Sequence, residues 1–284
     1  MLRADLPESA RGASGRLRPL VLPHAHELAF TCAHGEPYRL LLAIPPEPAP
    51  AAGFPALVLV DGDALFATAL AAARLQAARP LVTGVEPALV IGIGYPGGAA
   101  FDAERRRRDL LPDAGGADRF LALIAGEVLP LVASLAPLDR SRLALIGHSF
   151  GGLFALHALF TRPGLFRTHV AGSPSIWWNE RAILATRAAF LRGDAAPARQ
   201  RLLITVGGEE QHADERRDPQ RAARYRMARM VDNAAEMAAA LAASARVDCE
   251  HRVFAGENHV SVIPAMLARA VAFAFAAAGS GETP

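Results

Sequence analysis

A serine set between glycines at the end of a strand can act as a nucleophile, and Gly147-His148-Ser149-Phe150-Gly151 has the G-x-S-x-G spacing for it. The apolar run at residues 142–146 leads in and a helix-forming segment at residues 152–161 leads out, which is the context this pentapeptide requires. The glycines have a steric reason. Side chains flanking a sharp strand-to-helix turn would strike neighbouring main chain, and glycine removes the Cβ. The serine Oγ then stands above the sheet edge, with the amide of Phe150 facing the same space.

A serine hydroxyl attacks poorly without a base beside it. Where such an elbow occurs, the partners follow in the order serine, acid, histidine. That order points to His259, which lies between the last expected strand and the last expected helix. His148 adjoins the nucleophile and is expected to point away from it. His157 and His169 fall inside expected elements and His251 lies mid-strand. His212, in a loop after a strand, is the rival.

The acid is expected after the strand at residues 202–206, in Gly207-Gly208-Glu209-Glu210-Gln211. A carboxylate there would fix the imidazole tautomer and stabilise the imidazolium that forms. Glu210 is the first choice, then Glu209, then Asp214, and two merely solvated glutamates are the alternative. An oxyanion hole needs a second amide besides that of Phe150, and the loop after residues 56–60 should supply it. Asp63 follows Gly62 in that loop, so its N–H is the candidate. One such donor contributes about 3–4 kcal/mol in the transition state. The same aspartate-rich turn, Asp61-Gly62-Asp63, also serves as a helix start.

These residues need a scaffold, and the pattern predicts one. Residues 26–31 and 38–44 read as a strand hairpin, followed by a Pro/Ala-rich connector at 45–55. Continuous apolar runs at 56–60 and 88–93 read as buried strands. Further strands are expected at 168–171, 202–206 and 247–254. Helices are expected at 64–78, 118–134, 180–191, 219–242 and 261–277, with Asp118 a possible cap and Pro130 a late kink. Residues 95–116 read as a long Gly/Arg/Pro loop. The alternation implies an α/β-hydrolase fold: a mostly parallel central sheet, helices on both faces and an N-terminal antiparallel hairpin. Residues 26–279 form one expected domain, between a flexible start at 1–25 and a tail at 280–284.

Bulk composition narrows the classes. The chain has 284 residues, 30 Lys+Arg against 28 Asp+Glu, and a net charge of +2. A nucleic-acid partner is not expected from that balance. Cys32 and Cys249 form no CxxC pair and no Cys/His cluster, so neither a metal site nor a cofactor is expected. The first twenty residues lack the apolar stretch of a signal peptide, and the apolar run at 270–278 falls short of the roughly 20 residues that span a bilayer. A soluble, cytoplasmic protein is the expectation, of undetermined oligomeric state.

Several blocks carry a family resemblance: Gly53-Phe54-Pro55 through Asp61-Gly62; Tyr95-Pro96 with Phe101-Asp102, Arg106, Asp109 and Pro112; residues 147–152; Ser173-Pro174-Ser175-Ile176-Trp177-Trp178; residues 206–211; and His259. The chain resembles the putative-esterase (esterase D-like) family, and within it the esterases that open trilactone catecholate siderophores. It departs from them in having Leu110-Leu111 where Tyr-Thr is common, and Gly208-Glu209 where Glu-Tyr is common. The resemblance implies ester hydrolysis through an acyl-serine without a metal. It also implies that Arg106, Trp177 and Trp178 face a small-molecule ester, suited to an anionic, aromatic ferric catecholate by charge and stacking. Most of the stretch Arg105–Arg108 is expected to be solvated. An acyltransferase on the same fold and a non-catalytic binding module are the competing readings.

Overall fold

The fold is taken from a computed structural model that describes residues 19–193, 198–212 and 218–275. The expected flexible start up to residue 18, the tail at 280–284 and Asp214 lie outside the described residues. In chain order the elements are β1 (Ala25–Thr31), β2 (Pro37–Ala43), β3 (Phe54–Val60), α1 (Gly62–Ala77), α2 (Pro80–Thr83), β4 (Leu89–Gly94), α3 (Ala103–Leu110), α4 (Gly116–Leu123), α5 (Leu129–Leu135), β5 (Leu138–His148) and α6 (Phe150–Thr161). Then come β6 (Thr168–Gly172), α7 (Trp178–Arg181), α8 (Ile183–Arg192), β7 (Gln200–Gly207), α9 (Pro219–Ala228), α10 (Met230–Ala242), β8 (Val247–Phe254) and α11 (Val262–Phe275).

The strands form one eight-stranded sheet in the order β1-β2-β4-β3-β5-β6-β7-β8. β2 pairs antiparallel with β1 and β4, and every other pairing is parallel. The continuous apolar run of β3 is explained by burial on both faces. Ala56, Val58 and Val60 enter one core with Phe120 and Phe154 of the α4 and α6 helices. Leu57 and Leu59 enter the other with Leu65, Phe66 and Leu70 of α1 and Met266, Leu267 and Val271 of α11. No helix among the described residues is long and apolar enough to cross a membrane.

The register decides where the chemistry can sit. Leu59 of β3 pairs with Ile146 of β5, and Ala171 of β6 with Gly147. The turns after β3, β5, β6, β7 and β8 therefore all leave the same carboxyl edge, which is where open α/β sheets place their sites.

Several expectations need correction. Residues 95–116 are not a continuous loop, because α3 forms within them. Asp102 caps it by accepting from the Arg105 amide at 3.0 Å, and Arg107 and Arg108 complement the carbonyl end. Arg107 is exposed, whereas Arg105 donates to the Pro37 carbonyl at 3.0 Å and Arg108 forks onto Asp109. The stretch is thus largely anchored rather than solvated. Asp118 does not cap a helix. Its carboxylate bonds His157 Nε2 at 2.8 Å, and α4 begins earlier, at Gly116. The irregularity expected at Pro130 precedes it, as a π turn at Ile124–Val128 that leads into α5; a proline cannot supply the bond that would close a regular turn there. The helices expected at 180–191 and 219–242 are each broken. Asn179, Glu180 and Arg181 take positive φ within the short α7, ahead of α8, and Arg229 does so between α9 and α10.

His169 of β6 is wholly buried, and burial, opposed only by a smaller contact with the Arg201 main chain, pushes its pKa down from 6.5 to about 3. The folded state favours the neutral ring. The associated stability is therefore complete above about pH 6.5 and is lost as the pH falls toward 3, at up to about 1.4 kcal/mol per pH unit. Urea unfolding of wild type and His169→Leu between pH 7 and pH 4 should show a shallower acid loss in the variant. Equal slopes would remove His169 from the acid sensitivity.

Candidate active site

The nucleophile elbow follows directly from its glycines. Ser149 joins β5 to α6 with φ 62° and ψ −114°, outside the usual regions for a side-chain-bearing residue. A Cβ on Gly147 would lie 2.1 Å from the Gly151 carbonyl oxygen, and one on Gly152 would lie 2.5 Å from that of Gly172. Neither position admits another residue without moving backbone. The Ser149 amide donates to the Gly172 carbonyl at 2.9 Å, and its own carbonyl accepts from Leu153 and Ser175 at 3.0 and 3.1 Å. With its main chain engaged on both sides, Ser149 presents a half-buried hydroxyl that faces Ser175 Oγ at 3.3 Å.

The turn after β7 separates the two candidate glutamates. Glu209 is exposed, while Glu210 is 1% exposed. Glu210 Oε1 accepts from the Gly207 amide at 2.7 Å and from Ser173 Oγ at 2.5 Å. Its Oε2 lies 2.6 Å from His259 Nδ1. An ionised carboxylate has no proton to give, so this contact places the hydrogen on Nδ1 and leaves Nε2 as the acceptor. Ser149 and His259 line one chamber, although no hydrogen bond yet joins them. Catalytic contacts of this kind often tighten only when substrate is bound. His212 is exposed and does not line the chamber, so the rival base is not brought to the serine.

His148 does not line the chamber with Ser149, but it packs against the candidate base. Its ring lies 4.6 Å from that of His259, centroid to centroid, at a tilt of 47°. It is 2% exposed. Burial, followed by the charges of His259 and Arg106, pushes its pKa down to about 3. A neutral imidazole therefore backs the His259 ring.

On the other side of the serine, Asp61 takes a left-handed conformation (φ 54°) and opens α1. The Asp61 carbonyl accepts from the Ala64 and Leu65 amides, whereas the Gly62 and Asp63 amides belong to a first turn, which has no intrahelical acceptors for them. The Asp63 side chain is turned elsewhere. It pairs with Arg39 and accepts from the Tyr95 amide at 3.1 Å.

Arg106 is not presented to the chamber as the resemblance implied. Its Nε donates to Asp61 Oδ1 at 2.7 Å and its Nη2 to the His148 carbonyl at 3.4 Å. The guanidinium packs against the rings of Phe101 and Phe150, 4.9 and 5.5 Å from their centroids, with its side chain 11% exposed. It is a strut between α3, the turn after β3 and the elbow. Burial raises the pKa of Asp61, and the Arg106 charge opposes that rise.

The two tryptophans divide. Trp177 lines the chamber with Ser149, whereas Trp178 meets Phe150 edge-on at 5.1 Å and donates its Nε1–H to Asp113 at 2.8 Å. Both border an outer cavity of about 610 Å³. The inner chamber, of about 250 Å³, is also lined by Ser175, Tyr225, Met227 and Met230. Sequence reasoning missed Ser173 and Ser175 as site residues, although their block carried the resemblance. It had no local signal for the α9 and α10 residues, which read only as helix.

The sequence pattern of the family described as "Putative esterase" matches residues 33–266. The ferri-bacillibactin esterase BesA of Bacillus subtilis is 34% identical over 258 residues, 84% of each chain. The siderophore triacetylfusarinine C esterase of Aspergillus fumigatus is 37% identical, covering 92% of this chain and 96% of that one. Among solved structures, siderophore hydrolase EstB from Aspergillus nidulans superposes with a TM-score of 0.82 at 33% identity, over 92% of this chain and 98% of that one. With its sheet order, elbow and parallel strand edge, the chain is an esterase of the α/β-hydrolase fold and belongs to the Putative esterase family.

Proposed function

We propose that this protein is a serine esterase whose triad is Ser149, His259 and Glu210, and that it hydrolyses a siderophore ester. The observation that carries the reading is the clamp on Glu210, which leaves one carboxylate oxygen for His259 Nδ1.

The mechanism follows from that tautomer. Ser149 Oγ turns from Ser175 to His259 and attacks the ester carbonyl, and His259 Nε2 takes its proton. Glu210 stabilises the imidazolium. The amides of Phe150 and Asp63 receive the oxyanion, with the Asp61–Arg106 pair holding the second amide's turn against the elbow. Collapse breaks the ester C–O bond, and His259 returns the proton to the departing alcohol. Water then attacks the acyl-serine with the same base, releasing the acid and restoring Ser149. Three kinds of support favour a siderophore as the ester. The similar proteins named above are siderophore esterases. Trp177 offers an aromatic wall beside the nucleophile, and an outer cavity adjoins the chamber. A cytoplasmic location belongs to the same reading and accords with the unpaired Cys32 and Cys249.

Turnover of p-nitrophenyl butyrate and of ferric enterobactin tests both halves. Ser149→Ala should lower kcat by on the order of 10⁶. Glu210→Gln should lower it by roughly 10²–10⁴, and Glu209→Gln should stay near wild type. Equal effects of the two glutamate variants would remove Glu210 from the triad. A strong wild-type preference for the simple ester would reject the siderophore as substrate. Ser173→Ala removes a buried donor to a charged group and should reduce stability by about 1.5–3 kcal/mol, read in urea unfolding. An unchanged midpoint would show that the Ser173 contact contributes nothing.

A further inference from the structure

The arginines around the site are nearly all engaged. Arg106 is held by Asp61, Arg39 by Asp63 and Glu27, and Arg108 by Asp109 and Glu36. Arg181 and Arg229 both pair with Glu236 at the outer cavity. Arg224 of α9 differs. It lines the inner chamber together with Ser149 and His259, it is exposed, and among the described residues no hydrogen bond or ion pair holds its guanidinium. It is also the only arginine or lysine among the described residues lining that chamber.

Among the described residues, the rest of the lining gives this charge nothing to pair with: Glu210 is the only carboxylate among them, and both its oxygens are taken by His259, Gly207 and Ser173. Apart from the hydroxyls of Ser149 and Ser175, the remaining described walls are aromatic or apolar: Trp177, Tyr225, Met227, Ala228 and Met230. A guanidinium is a planar fork that matches two neighbouring anionic oxygens. Beside low-dielectric walls its attraction for them exceeds that in bulk water.

We infer that Arg224 is a specificity-determining residue that receives an anionic oxygen pair on the arm of the ester occupying this chamber, whose apolar or aromatic body lies against Trp177 and Met230. The inference rests on the esterase reading above and extends it to substrate charge. The paired oxygens can come from a carboxylate or from a metal-bound catecholate.

The test compares kcat/KM for p-nitrophenyl butyrate, which is neutral, with that for p-nitrophenyl hemisuccinate and for ferric enterobactin. Wild type, Arg224→Gln and Arg224→Lys are each measured at low salt and in 0.5 M NaCl. The expected result is that Arg224→Gln lowers the anionic-to-neutral ratio tenfold or more through KM. Arg224→Lys should recover part of it, and salt should lower the ratio in wild type more than in Arg224→Gln. Loss confined to the hemisuccinate identifies a carboxylate, and loss confined to the siderophore identifies a catecholate. An unchanged ratio for both anionic esters overturns the inference. Calorimetric binding of ferric enterobactin and of succinate to Ser149→Ala, with and without Arg224→Gln, separates this failure from failure of the esterase reading. If wild type turns over none of the esters, tenfold weaker binding of either anion by the double variant still supports Arg224, and equal binding of both rejects it.

Discussion

The buried carboxylate of Glu210 ties together the carboxyl ends of three adjacent strands. It reaches Ser173 after β6, the Gly207 amide at the end of β7, and His259 after β8. A carboxylate almost removed from water is tolerated only when its lone pairs are satisfied. Here each oxygen has a partner from a different turn or strand end, so the loops cannot drift independently without leaving charge uncompensated. The requirement that keeps Glu210 stable is the one that orients the His259 ring.

A second buried pair does the corresponding task on the other side of the serine. Asp61 and Arg106 fasten the turn after β3 to α3, and Arg106 also reaches the His148 carbonyl one residue before the nucleophile. The elbow thus lies between two anchors, each centred on a buried carboxylate. One sets the imidazole, and the other sets the turn that carries the candidate oxyanion amide. His148, neutral because it is buried, fills the space behind the His259 ring and links the two halves by packing. This division has a consequence for recognition. A cation bound to the scaffold is unavailable to a ligand, so charge at the chamber is left to side chains from the helices that roof it.

Those roof helices are where local reasoning fails. The pattern in α9 and α10 announces a helix but not that Arg229 breaks it, nor that Tyr225, Met227 and Met230 line one chamber with Ser149. Nothing in the spacing of residues 219–242 encodes which face meets a chamber built by β5 and β8. The reading of α3 failed for another reason. Four consecutive arginines hide an amphipathic period, and only the capping aspartate at 102 and the buried Leu110 reveal the element.

The glycine-flanked turn at Ser149, the chain order that places Glu210 and His259 after it, and the parallel sheet were legible in the sequence because each has a local cause. Glycines answer a steric clash at 147 and 152, continuous apolar runs answer burial on both faces, and chain order answers a fixed strand topology. Tertiary structure alone separates Glu209 from Glu210, adjacent residues of identical chemistry, by which one the β7 turn buries. It also decided that Arg106 braces the site instead of facing the chamber, because the carboxylate that claims it lies 45 residues earlier in the chain. Such long-range pairings depend on which strands become neighbours, and no window of sequence around either partner contains that information.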